Sequence, residues 1–169
     1  GAVVSSPEYT VLYPYYSGAS FSSGLIKTEI PVSQKAVSGS FASGANLSCC
    51  ILSGESGSMK NVCALVKLTI SPFTKDIASV TLESNSGESL SGGISIAMAG
   101  GVPVASAASS AVPYVNLDFV TPVRSGTYYI AVCPGTLSSG LKISFRSTDG
   151  KLYVKSGNGR ADLTRGDVL

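Results

Sequence analysis

The chain has 169 residues, of which 44% are hydrophobic and only 13% charged, with a formal net charge of +2. That length suffices for one domain with a real core, while the scattered placement of its twelve Lys and Arg excludes the clustered cations a nucleic-acid binder needs. No stretch reaches the ~18 apolar residues that cross a bilayer as a helix, and the lack of histidine removes the usual general base and the commonest metal ligand.

Period-two alternation of apolar and polar residues predicts strands along the whole chain. The first spans Glu8 to Tyr16 and reads as an edge or bulged strand, because Pro14 cannot donate to a ladder. Ser17 to Gly24 is a Gly/Ser loop, Leu25 to Ile30 a strand, Val37 to Gly44 a small-residue loop and Asn46 to Leu52 a short apolar strand. After a turn at Glu55 to Lys60, Asn61 to Ser71 is the strongest strand. It sets Val62, Ala64, Val66, Leu68 and Ile70 on one face against Cys63, Leu65, Lys67 and Thr69 on the other, the pattern of a sheet with one buried face.

Ile77 to Glu83 follows, with Asn85-Ser86-Gly87-Glu88 as its turn. Leu90 to Ala99 reads as a strand broken by Gly92-Gly93, and Gly100 to Ala111, rich in Ala, Ser and Gly, as loop. Val112 to Val120 alternates, Gly126 to Cys133 is a second strong strand closed by Pro134-Gly135, and Leu141 to Ser147 turns at Asp149-Gly150 into Leu152 to Val154. A last short strand lies at Ala161 to Leu163. About nine to eleven short strands without a helix predict an antiparallel sandwich or barrel.

Four cysteines stand at 49, 50, 63 and 133 without CxxC spacing, which argues against a zinc site. They read first as buried small hydrophobes; a Cys63–Cys133 bridge is the competing reading. Asp118 shares a strand face with Asn116 and reads as solvated, and no close carboxylate pair suggests glycoside hydrolysis. Asn85-Ser86-Gly87-Glu88 and Gly157-Asn158-Gly159 are turns rather than calcium or phosphate loops. Arg165-Gly166-Asp167 spells an integrin-associated tripeptide, but it sits beside the chain end and reads as a chance match. The expectation is therefore a chain without catalytic residues, cofactor or metal.

The ordered runs Leu12-Tyr13-Pro14-Tyr15-Tyr16, Ile30-Pro31-Val32-Ser33-Gln34, Asn46-Leu47-Ser48, Asn61 to Ile70, Ile77 to Leu82 and Gly126 to Val132 resemble successive blocks of the fimbrillin-like (Mfa-like) family of bacterial surface lipoproteins, most of all its N-terminal domain. The resemblance implies a transthyretin-like Greek-key antiparallel β-sandwich. It also implies export to the cell surface or outer membrane, with a lipid-bearing cysteine upstream of Gly1, and a role as fimbrial subunit, tip protein or adhesin. Residues 1–7 are then a flexible segment, Gly1 suits a residue left by tag cleavage, and residues 8–169 form the sandwich.

Adhesion or assembly is expected through strand addition at sheet edges, with other fimbrial subunits or surface ligands as partners and no nucleic acid. The candidate interaction residues are Tyr13, Tyr15 and Tyr16 in the first strand and Leu163, Val168 and Leu169 in the C-terminal segment. The alternative is a carbohydrate-binding surface module on the same sandwich.

Overall fold

From Ala64 to Ile70 every second residue is buried, with Lys67 and Thr69 turned to solvent between them. The computed structural model, which describes residues 8–169, repeats this arrangement along its length. The expected flexible segment 1–7 lies outside the described residues. In chain order the strands are β1 (Glu8–Tyr13), β2 (Ser20–Ser22), β3 (Leu25–Ile30), β4 (Ser33–Lys35), β5 (Ser48–Ser53), β6 (Lys60–Asn61), β7 (Ala64–Ile70) and β8 (Ile77–Ser84). They continue with β9 (Ser91–Ala99), β10 (Val102–Val112), β11 (Tyr114–Val123), β12 (Gly126–Val132), β13 (Gly135–Leu137), β14 (Leu141–Ser147), β15 (Leu152–Gly157) and β16 (Ala161–Leu163). No helix forms among the described residues.

The central winding is a set of nested antiparallel pairs. β9 pairs with β10, β8 with β11 and β7 with β12. One long ribbon therefore doubles back at Gly100-Gly101 and rolls over, so that successive pairs enter different layers. This is a Greek-key form of β-sandwich. Larger sheets complete it, in the orders β15-β14-β8-β11-β4 and β10-β9-β3-β2, with β1-β5-β6 beside them.

Two apolar cores result, and β12 serves both. Tyr128, Ile130 and Val132 join Ala64, Val66, Leu68 and Ile70 of β7 against Ile77, Val80 and Leu82 of β8 and Val115 and Leu117 of β11. The opposite face of β12 and its continuation supply Ala131 and Cys133 to a second core with Ile26 and Ile30 of β3, Ile94 and Ile96 of β9, and Cys49. The unbroken apolar run from Ile130 to Cys133 is thus a strand buried on both faces. Each fully buried aliphatic side chain contributes about 1.5–3 kcal/mol.

Several expectations change. β1 ends at Tyr13, where the Tyr13–Pro14 peptide is cis, rather than continuing to Tyr16. Gly100 to Ala111 is not loop: Val102–Val112 is the longest strand among the described residues, and Gly100-Gly101, both at positive φ, form the two-residue hairpin that starts it. Gly92-Gly93 do not break β9; they lie within it, opposite a bulge in β10 between Ala107 and Ala111.

Val62 leaves the Ala64–Ile70 face and enters the second core, because regular pairing of β7 begins only at Ala64. The sandwich is not wholly antiparallel, since β4 runs parallel to β11. All four cysteines are free and buried, so the Cys63–Cys133 bridge is absent.

Candidate functional site

One edge of β7 is taken by β12, and the other by the end of the chain. Leu65 N–H donates to the Asp167 carbonyl at 2.9 Å, Leu169 N–H to the Leu65 carbonyl at 2.8 Å, and Lys67 N–H to the Leu169 carbonyl at 2.8 Å. Leu65 and Val168 form a parallel bridge. Residues 167–169 thus lie as an added strand on β7, held by backbone groups that place no demand on side-chain identity.

The segment is guided into place by its predecessors. Arg165 Nη1 donates to the Asn61 carbonyl at 2.8 Å, and Gly166 N–H to the Cys63 carbonyl at 2.9 Å. Arg165 and Gly166 form a tight turn, closed by the Asp167 N–H on the Thr164 carbonyl at 3.1 Å, that leads Asp167 onto the edge of β7. Leu163, 3% exposed, is a core residue on β16, which pairs with β13. Val168 and Leu169 are exposed on the added strand. The structure thus separates the three expected C-terminal residues into one anchor and two surface positions.

The N-terminal tyrosines also part company. β1 is zipped antiparallel onto β5 from Glu8↔Ser53 to Tyr13↔Ser48. Tyr13 is exposed at its end, Tyr15 is 87% exposed, and Tyr16 is 38% exposed. None of the three enters a ring pair; the close aromatic contacts are Phe73–Phe145, Phe73–Tyr153 and Phe119–Tyr128.

Tyr16 folds back over Gly18, where a Cβ would meet the ring at 2.6 Å, and stands at an open cavity of about 370 Å³ on the outer face of β3 and β9. The cavity is lined by Tyr16, Lys27, Glu29, Gly93, Ser95 and Ser110, among others. Lys27 lies across from Ser95 and Glu29 across from Gly93 in the β3–β9 ladder, and the β10 bulge brings Ser110 over Gly93 as the far wall. Hydrogen bonding to Glu29 raises the Tyr16 pKa above its ordinary value, since ionisation would set a phenolate beside a carboxylate.

Sequence reasoning missed this cavity because Lys27, Glu29 and Ser95 are ordinary outward positions of alternating strands. Only the Gly92-Gly93 pair hinted that another backbone approaches there. Asp118 accepts the Ser33 hydroxyl at 2.5 Å across the β4–β11 pair. Burial pushes the Cys63 thiol up to about 12. Among the described residues no group of three or more Cys, Asp or Glu could hold a metal ion, and no helix is long and apolar enough to cross a membrane.

No family model matches the chain, and no curated protein matches it. Among solved structures it is similar to a protein from Bacteroides ovatus ATCC 8483 whose proposed role is cell adhesion, at 16% identity and a TM-score of 0.55. The match covers 92% of this chain and 59% of that one, so the chain spans less than two thirds of its neighbour's length. At this identity the likeness establishes a shared β fold.

Proposed function

We propose that this chain is a cell-surface adhesion domain that joins its partners by strand addition at a sheet edge, as a fimbrillin-like subunit or adhesin would, and that it binds rather than catalyses. The fold shared with a protein of proposed adhesion role supports the coarse reading. The sequence resemblance to fimbrillin-like lipoproteins supports the finer one, including export to the cell surface and anchoring through lipid upstream of this chain.

The observation that carries strand addition is the segment Asp167–Leu169 lying parallel on β7 through three backbone hydrogen bonds. A slot filled by backbone pairing accepts any extended segment of suitable length, and selectivity comes from alternate side chains. Here that is Val168, which lies beside Leu65. A strand from another subunit with an apolar residue at that place meets the same donors and acceptors.

Truncation after Thr164 opens the β7 edge. The shortened chain is expected to capture a peptide of residues 161–169 supplied in trans, measured by calorimetry, while the intact chain captures far less. A truncated chain that keeps its β-rich circular dichroism spectrum and captures no peptide overturns strand addition at this edge.

A further inference from the structure

We propose that the Tyr16 cavity is a saccharide-binding site for the neutral end of a glycan. The inference deepens the adhesion reading by naming a receptor chemistry, and it rests on that reading but not on strand addition, since the cavity lies on the β3–β9 face and the added strand on β7.

The floor decides the kind of ligand. β9 is flanked by β10 and β3 within the sheet, its pairing with β10 interrupted only opposite the bulge between Ala107 and Ala111, so most of its backbone groups are engaged in ladders and a ligand on this face meets mainly side chains. An extended peptide, which needs free backbone donors and acceptors, is therefore disfavoured. Lys27 and Glu29 are two residues apart on one strand face and cancel each other's charge, which leaves no net field to select an anion or a cation.

What remains is dense in hydroxyl-matching chemistry. The Lys27 ammonium only donates, the Glu29 carboxylate only accepts, and the hydroxyls of Ser95 and Ser110 do either. Vicinal sugar hydroxyls, each donor and acceptor, match that set. The partly open ring of Tyr16 adds the flat apolar surface that the C–H face of a pyranose packs against. The volume of about 370 Å³ is at the lower end of the ~300–1,000 Å³ range of small-ligand sites, which suits a mono- or disaccharide end.

The Gly92-Gly93 pair admits the wall. A Cβ at Gly92 would lie 2.6 Å from the Ser110 carbonyl, so side chains at this position would push the bulge away from the sheet.

The intact chain is tested on an array of immobilised neutral oligosaccharides, with hits measured by calorimetry. Saturable binding of a neutral glycan is expected, weakened at least tenfold by Tyr16→Ala and several-fold by Glu29→Gln, and unchanged by Tyr15→Ala, the exposed neighbour outside the cavity. Glu29→Gln keeps size and shape, so it reports on the site even if Tyr16→Ala disturbs the loop. Absence of any neutral glycan ligand, binding restricted to charged glycans, or binding indifferent to both cavity variants overturns the site. Capture of the residues 161–169 peptide by the truncated chain is measured in parallel, so loss of one activity is distinguishable from loss of the other.

Discussion

Gln34 and Ala131, 97 residues apart in sequence, exchange two hydrogen bonds as if they were facing residues of paired strands. The Gln34 Nε2 donates to the Ala131 carbonyl at 2.7 Å, and its Oε1 accepts the Ala131 N–H at 3.0 Å. Gln34 is 1% exposed. The parallel bridge between Phe41 and Tyr129 lies on β12 two residues before Ala131, and the Gln34 carboxamide completes the pairing where no strand lies.

Gln34→Leu keeps the volume approximately and removes both partners of a buried backbone unit. Leaving each buried polar group unsatisfied costs ~1–3 kcal/mol, so a loss of about 3 kcal/mol is expected, read from the urea midpoint at unchanged slope. A loss within experimental scatter would mean that water reaches Ala131.

Glu88 ties the β8–β9 turn to the segment after β13. Its Oε1 accepts from the Ser138 N–H at 2.8 Å and the Ser138 hydroxyl at 2.5 Å, and its Oε2 accepts from the Ser84 hydroxyl. These donors, Ser138 foremost, hold the carboxyl at about 2. A folded value below the unfolded one means that this contribution is complete above about 4.5 and fades as the pH falls through about 2. Melting temperatures of the natural chain and Glu88→Gln, measured between those limits, are expected to converge as the pH falls. Parallel curves would show that these bonds are not retained in solution.

Gly92 and Gly87 have the same φ of +85°, but only Gly92 has a neighbour where a Cβ would go, the Ser110 carbonyl at 2.6 Å. Gly87→Ala therefore carries only the left-handed backbone cost of ~1–2 kcal/mol. Gly92→Ala adds a clash with backbone and is expected to cost about 2 kcal/mol more, of the order found for overpacked sites. Equal destabilisation of the two variants in chemical unfolding would show that the β10 bulge yields freely.

Four buried free thiols give a direct chemical readout. A thiol reagent at neutral pH is expected to label almost none in the native chain, because Cys63 is held at about 12 by burial and Cys49 and Cys133 are also raised by it. In denaturant all four are expected to react. Two reacting thiols would instead mean that a disulfide forms.

The candidate site was less legible than the strands that carry it. Tyr13, Tyr15 and Tyr16 look equivalent in sequence, yet only Tyr16 lines the cavity. Leu163, Val168 and Leu169 look like one apolar set, yet only Leu163 enters a core. Gln34 stood inside a recognised run with no role to be read from it, because its partner lies on β12.

Alternation alone determined that this chain is built of pleated strands and which side chains of Ala64–Ile70 face inward, because side-chain partition between water and core is decided residue by residue. Only tertiary structure decided that the small-residue stretch Val102–Val112 is a strand and that β4 and residues 167–169 run parallel to their neighbours. Those choices are made by backbone hydrogen bonds between distant segments, and such bonds carry almost no trace in the identity of the residues they join.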